Sequence, residues 1–144
     1  MARIFVLNGV NLGSLGERRP ELYGEQTLEH IEQLLQSAFP NVQLVFRQTD
    51  HEGELVGWIR EAANSSDGLV LNPGAWTHYS YAIHDALEAV YVPKVEVHLS
   101  NVHSREGWRR VSVISPAVDA VIAGMGAYGY RAAVGYVLGA GARG

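Results

Sequence analysis

Cysteine is absent from all 144 residues. Neither a disulfide framework nor a thiolate metal site is therefore available. Lysine is almost absent as well: of the 11 basic residues only Lys94 is a lysine, and the rest are arginines. Lys94 stands at the head of a strand pattern, which predicts chemistry without a lysine Schiff base. No apolar run approaches the roughly 18 residues a membrane-crossing helix needs. The first eight residues lead straight into a strand pattern, so no signal segment is expected. There is no basic excess either. The formal net charge is −4 and the pI about 5.8, which argues against nucleic acid and anionic membrane as partners. No internal repeat, low-complexity block or linker interrupts the chain. The expectation is one soluble, cytoplasmic domain spanning residues 1–144.

What is present alternates regularly. "RIFVLN" (3–8) reads as a strand buried on both faces. Thr27 can cap a helix with the stripe Leu28, Ile31, Leu34, Leu35 and Ala38, which Pro40 ends. Strand two is "VQLVF" (42–46). A helix over 52–64 carries Leu55, Trp58, Ile59 and Ala62 at helical spacing. "GLVLN" (68–72) is strand three, and 79–91 is a helix with Ala82, Ile83, Ala86, Leu87 and Val90 inward. "KVEVHL" (94–99), "DAVIAG" (119–124) and a helix over 127–140 complete the pattern. Strands alternating with helices predict right-handed βαβ units and a parallel sheet. The fold class is therefore α/β. Five strands at this length point to a flavodoxin-like three-layer sandwich with order 2-1-3-4-5. The last helix is apolar on most sides, with Tyr128, Tyr130, Val134, Tyr136, Val137 and Leu138 and a single charge at Arg131. Such a helix is covered on most sides, which predicts an assembly larger than a dimer.

In this class ligands bind beyond the carboxyl ends of the strands, where the strand order reverses. The unusual polar residues gather there. Asn8 and Asn11 follow strand one, and Asn72 and His78 follow strand three in "NPGAWTH". Glu96 and His98 share one face of strand four, with Ser100 just beyond. The bland reading of Glu96 is a buried acid paired with His98, which would orient the ring and stabilise its protonated form. Asn72 can cap the turn at Pro73–Gly74, and His78 can cap the next helix. Arg18, Arg19, Arg105, Arg109 and Arg110 all lie in two rim loops, with Arg105 and Arg110 read as solvated surface charge. Arginine suits planar recognition of carboxylates, so the pocket is expected to take a small, oxygen-rich anion. The stretch "NGVNLGSLGERRPELYG" (8–24) far exceeds the about 2–6 residues of an ordinary strand-to-helix connection. It reads as an irregular loop that delivers site residues.

Two motif matches fail on context. "GMGAYG" (124–129) fits G-x-G-x-x-G after a strand, but only 15 residues follow Gly129 and none is acidic. The dinucleotide motif needs a further strand and an acidic residue, so a tight, closely packed turn is expected instead. Glu96, His98 and His103 could suggest a metal, yet no recognised ligand spacing accompanies them.

The segments "LNGVNLGSLGERRPELYG", "LNPGAWTHYSYAIHDAL", "VEVHLSNVHSREGWRR" and "VIAGMGAYGYRAAVGY" closely resemble type II dehydroquinases, along essentially the whole chain. The resemblance implies a cytoplasmic shikimate-pathway enzyme that removes water from 3-dehydroquinate to give 3-dehydroshikimate. It implies a flavodoxin-like subunit, a dodecamer assembled from trimers, and no cofactor or metal. Carried over by position, Tyr23 is the base and Arg18 the essential arginine of a lid. Asn11 holds a water against the enolate oxygen. His98 is the general acid and Glu96 its partner. Asn72, His78 and Arg109 bind substrate hydroxyls, while Ser100 and the backbone N–H of Leu99 bind the carboxylate. Asp85 reaches a neighbouring subunit's site. The chain departs from the family's usual proline at 10, glutamate at 19, and histidine-serine-tyrosine run, which here is Val111, Ser112 and Val113. A flavodoxin-like binding or signalling module is the alternative. A receiver domain, though, wants aspartates where this chain has Asn8 and Asn72, and a flavin carrier wants a hydroxyl-rich loop where this chain has only Ser14.

Overall fold

The computed structural model describes residues 1–17, 19–23 and 26–143, with Tyr23 and residues 141–143 described as backbone only. Five strands, β1 (Arg3–Asn8), β2 (Gln43–Gln48), β3 (Gly68–Asn72), β4 (Lys94–His98) and β5 (Ala120–Ala123), form one parallel sheet. Its order is β2-β1-β3-β4-β5, as expected from the alternation. Helices α1 (Pro20–Tyr23), α2 (Leu28–Ala38), α3 (Glu52–Ser65), α4 (Tyr81–Glu88) and α5 (Tyr128–Arg143) connect and flank them.

Two cores follow from the period-2 alternation of the strands. On one face Ile4, Val6, Val70, Val95 and Val97 meet Ile31 and Leu35 of α2 and Tyr130, Ala133, Val134 and Val137 of α5. On the other face Phe5, Leu7, Leu69 and Leu71 meet Leu55, Ile59 and Ala62 of α3 and Ile83 and Leu87 of α4. Each fully buried aliphatic side chain contributes about 1.5–3 kcal/mol relative to exposure. Truncating Ile59, which has no exposed surface, to alanine would cost about 2–5 kcal/mol.

Helix starts follow local chemistry. Thr27 Oγ1 accepts from the His30 N–H at 3.2 Å, and His30 Nδ1 accepts from the Thr27 N–H at 3.4 Å, a reciprocal cap. Ser80 Oγ accepts from the Ile83 N–H at 3.1 Å. Ser80, not His78, is therefore the cap of α4. That helix is shorter than the expected 79–91: after a 3₁₀ turn, Gly74–His78, the Ser80 cap starts it at Tyr81. It ends at Glu88, where the Ala89 and Val90 N–H groups turn back to the carbonyls of Ala86 and Leu87. With this start, Ile83, Leu87 and Val90 turn inward and Ala82 is exposed, contrary to expectation. Strand β2 runs on past the expected 42–46 to Gln48, because Arg47 and Gln48 pair with Leu7 and Asn8. The loop after β1 is less irregular than expected. It contains a 3₁₀ turn, Leu12–Ser14, and the single turn α1. Arg18, read as the essential arginine, lies outside the described residues, and so does the side chain of Tyr23.

Candidate active site

The carboxyl ends of β1, β3 and β4 open on one cleft of about 130 Å³. It is lined by residues that include Asn11, Asn72, His78, His98, Ser100 and Arg109. The backbone permits this convergence at a specific point. A Cβ on Gly9 would lie 2.5 Å from the Pro73 carbonyl oxygen, so only glycine lets the two loops meet there. The Gly9 N–H donates to the Asn72 carbonyl at 2.7 Å. Asn11 adopts the left-handed conformation at φ 68°, which asparagine tolerates better than most residues. Its N–H donates to Asp50 Oδ1 at 2.8 Å.

Glu96 has no exposed surface, and His98 is 8% exposed. His98 Nε2 donates to Glu96 Oε2 at 2.5 Å. The same oxygen accepts from Thr77 Oγ1 at 2.5 Å, and Glu96 Oε1 accepts from Ser115 Oγ at 2.6 Å. Burial alone would push this carboxyl up. The hydrogen bonds from His98, Ser115 and Thr77, with the charge of His98, outweigh it and hold Glu96 below the usual carboxylate range. Glu96 is therefore an ionised acceptor. It ties up Nε2 of His98 and leaves Nδ1 for a ligand. An ionised Glu96 is also the partner an imidazolium requires when that nitrogen takes a proton.

His78 is a different kind of histidine. Its Nδ1 donates to the Val111 carbonyl at 2.7 Å, so in the neutral ring Nε2 is an acceptor. Desolvation pushes its pKa down, helped by the charges of His98 and Arg109, despite the Val111 bond acting the other way. Trp108 packs edge-on at 5.0 Å from the His78 ring, and the Arg109 guanidinium sits 4.0 Å over the Trp108 face. Glu106 Oε2 accepts from Arg109 Nε at 2.7 Å. One cleft thus presents a neutral histidine, a carboxylate-backed histidine and cations.

Asn72 is held from below. Its Nδ2 donates to Tyr130 Oη at 2.8 Å, and that hydroxyl donates to Asn8 Oδ1 at 2.7 Å. Asn72 Oδ1 also accepts from the Gly74 N–H at 3.1 Å, the turn cap expected from sequence. Leu99 and Ser100 are 6% and 9% exposed and line the cleft. The G-x-G-x-x-G segment is the tight turn expected of it. Gly124 has φ 89°, its N–H donates to the His98 carbonyl at 3.2 Å, and the Gly126 N–H donates to the Leu99 carbonyl at 3.0 Å.

Asp85, expected to reach a neighbouring subunit's site, lies exposed on α4, beside the groove between α3 and α4 and outside this cleft. Arg105, read as solvated, lines the cleft instead. Its side chain is 6% exposed, and Nη1 lies 3.4 Å from Ser100 Oγ. Linear sequence does not say which arginine of a loop folds inward. Nothing in the linear sequence marks Thr77, Ser115 or Tyr130 as a site residue. A buried acid needs more donors than one histidine, and that need is the signal that could have pointed to nearby hydroxyls. Among the described residues no trio of metal-ligating side chains gathers in the cleft. The one such trio, His84, Asp85 and Glu88, lies on α4, and both ring nitrogens of His84 are engaged, by the Val113 carbonyl and by Glu88.

The family model described as dehydroquinase class II matches residues 2–138. A 3-dehydroquinate dehydratase of Bacillus subtilis is 50% identical over 140 residues, covering 96% of this chain and 95% of its own. One of Bacillus licheniformis is 47% identical over 140 residues, with 96% and 97% covered. The crystal structure of a type II dehydroquinase from Butyrivibrio crossotus superimposes with a TM-score of 0.92 at 40% identity, covering 95% of this chain and 97% of that one. Family model, relatives and solved structure agree along nearly the whole length, and the chain belongs to the class II dehydroquinase family.

Proposed function

We propose that the chain is a hydro-lyase that removes water from 3-dehydroquinate to give 3-dehydroshikimate, in the shikimate pathway that leads to aromatic amino acids. The observation that carries the reading is the Glu96–His98 pair at the rim of a cleft that also offers Asn72, His78 and Arg109. Tyr23, by its position in the family motif, takes the proton from the carbon next to the ketone. Arg18 supplies the cation that favours its phenolate. The electron pair moves onto the ketone oxygen, where Asn11 holds a water that stabilises the charge. The enolate then collapses and its electrons form the new carbon–carbon double bond. The neighbouring carbon–oxygen bond breaks with its pair on oxygen, and His98 protonates that oxygen so that water leaves. Solvent returns the proton from tyrosine to histidine. Nε2 of His78 accepts from a substrate hydroxyl. Asn72 and Arg109 bind further hydroxyls, and Ser100 with the Leu99 N–H binds the carboxylate.

The chemistry described needs neither cofactor nor metal. The working form is a cytoplasmic homododecamer, a tetramer of trimers, in which Asp85 reaches a neighbouring cleft. Exposed Met125, Tyr128 and Tyr136 around β5 and α5 support burial against other copies. Light scattering at micromolar concentration should give twelve times the chain mass, and a monomeric mass would overturn the assembly. Purified protein incubated with 3-dehydroquinate should form the conjugated product at a rate unchanged by EDTA. Absence of turnover would favour the binding-module alternative, and loss of turnover in EDTA would overturn the metal-free reading.

A further inference from the structure

Three hydroxyls that the mechanism above does not use converge behind Glu96. Ser112 Oγ accepts from the N–H groups of Ile114 at 3.1 Å and Ser115 at 2.9 Å. It lies 2.6 Å from Thr77 Oγ1. Thr77 Oγ1 in turn lies 2.5 Å from Glu96 Oε2. The proton positions follow from counting. An ionised carboxylate only accepts, so the single Thr77 proton goes to Glu96. Both Ser112 lone pairs take backbone N–H groups, so its own proton goes to Thr77. The chain is therefore oriented throughout: backbone N–H groups to Ser112, Ser112 to Thr77, Thr77 to Glu96, with His98 Nε2 donating to the same carboxylate oxygen.

We propose that Thr77, aimed by Ser112, is a positioning residue for the dehydration: it keeps Glu96 an acceptor and so fixes Nε2 as the nitrogen of His98 that faces Glu96, leaving Nδ1 for the departing hydroxyl. Thr77 is 1% exposed, so its proton has no water to turn to. Were Glu96 to gain a proton on Oε2, that oxygen could no longer receive both Thr77 and His98 as it does here. The ring would then lose the partner that holds its tautomer. Thr77 also accepts the Val113 N–H on its carbonyl at 2.8 Å. The 111–113 segment is thereby held along the turn, with Ser112 facing the relay. Among the described residues, the other titratable side chains that line the cleft with His98 are His78, Arg105 and Arg109. Ser115 gives Glu96 a third donor, through its other oxygen.

The inference rests on His98 being the acid, and the experiment separates the two claims. kcat and KM for 3-dehydroquinate are measured against pH for Thr77→Val, Thr77→Ser, Ser112→Ala and His98→Asn. Thr77→Val should lower kcat about tenfold or more, the size of one hydrogen bond to a charged group, with KM little changed. Its acidic limb should move to higher pH, because Glu96 with one donor fewer takes up a proton more readily. Thr77→Ser should restore both the rate and the limb. Ser112→Ala should shift the limb the same way by less. It leaves Thr77 in place, so it tests the relay even if Thr77→Val fails to fold. Unmoved acidic limbs in folded Thr77→Val and in Ser112→Ala, with His98→Asn inactive, would overturn the relay and leave His98 as the acid. Full activity of His98→Asn would overturn the reading beneath it.

Discussion

Two buried polar networks end on the same rim from opposite faces of the sheet. On the α2–α5 face, Tyr130, Asn8 and Asn72 form a neutral set linked by two short bonds and completed by the Gly74 N–H and the Arg47 carbonyl. On the α3–α4 face, Thr77, Ser112, Ser115, Glu96 and His98 form a charged set. The neutral set fixes a direction, because Tyr130 anchors Asn72 so that its amide meets the cleft. The charged set fixes protonation, because its donors leave Glu96 no role but acceptor. The difference shows that burial alone does not decide what a polar group does. A neutral network rigidifies, whereas a charged one with every donor in place also selects a proton's location.

The largest break is at the head of the charged set. His98→Asn should lower kcat by about 10²–10⁴, as loss of a general acid does, far more than the stability lost with one donor fewer on buried Glu96 would explain. Steady-state kinetics beside a melting curve check this, and a melting shift with kcat intact would reverse the assignment. Tyr130→Phe breaks the neutral set and should invert the pattern. It strands the Asn72 amide and the Asn8 carbonyl oxygen, costing about 1–3 kcal/mol of stability. KM should rise modestly and the pH limbs should stay where they are. Chemical denaturation with parallel kinetics tests it, and a moved acidic limb would mean that the two networks are not separate.

The two sets should also fail at opposite ends of the pH scale. Glu96 is held below its ordinary value in the fold. Its contribution is present above the unfolded carboxylate value of about 4.3 and is lost as pH falls below it toward the folded value. Tyr130 is pushed well above its ordinary value by burial, against the Asn72 bond. Its contribution is complete below the unfolded tyrosine value of about 10 and is lost as pH rises beyond it. Urea midpoints across pH should show Tyr130→Phe removing part of the alkaline loss and leaving the acid loss intact. An unchanged alkaline slope would contradict the assignment to Tyr130.

The smallest effect is expected far from both networks. Lys94 begins β4, at the end of the strand away from His98, and its Nζ donates to the carbonyls of Leu87 at 2.7 Å and Val90 at 2.8 Å at the end of α4. Lys94→Met should lose some stability and keep kcat, and borohydride with substrate should not inactivate the protein. Inactivation by borohydride would revive imine chemistry.

The fold was legible because short apolar runs alternate with period-3.6 helical stripes, and Thr27 caps where its chemistry says it should. The Glu96–His98 pairing was legible from spacing two on a strand. The relay behind it was not. Thr77, Ser112 and Ser115 each have an ordinary local use in turns, and only the fold brings 77 beside 112 and 115. Tyr130 was read as part of an apolar helix that meets other copies. It is instead fully buried within its own chain, because the α5 register turns its hydroxyl toward β1 and β3. Arg105 was misread for the same reason: inward and outward arginines look alike in sequence.

In the proposed mechanism His98, held by Glu96, acts on the departing oxygen and not on the carbon-bound proton. The direct test is His98→Asn incubated with 3-dehydroquinate in D₂O and followed by NMR. The account predicts recovered substrate that carries deuterium at the carbon next to the ketone, with almost no dehydrated product, because proton removal by Tyr23 survives. Product formed near the wild-type rate, or recovered substrate with no deuterium, would contradict it.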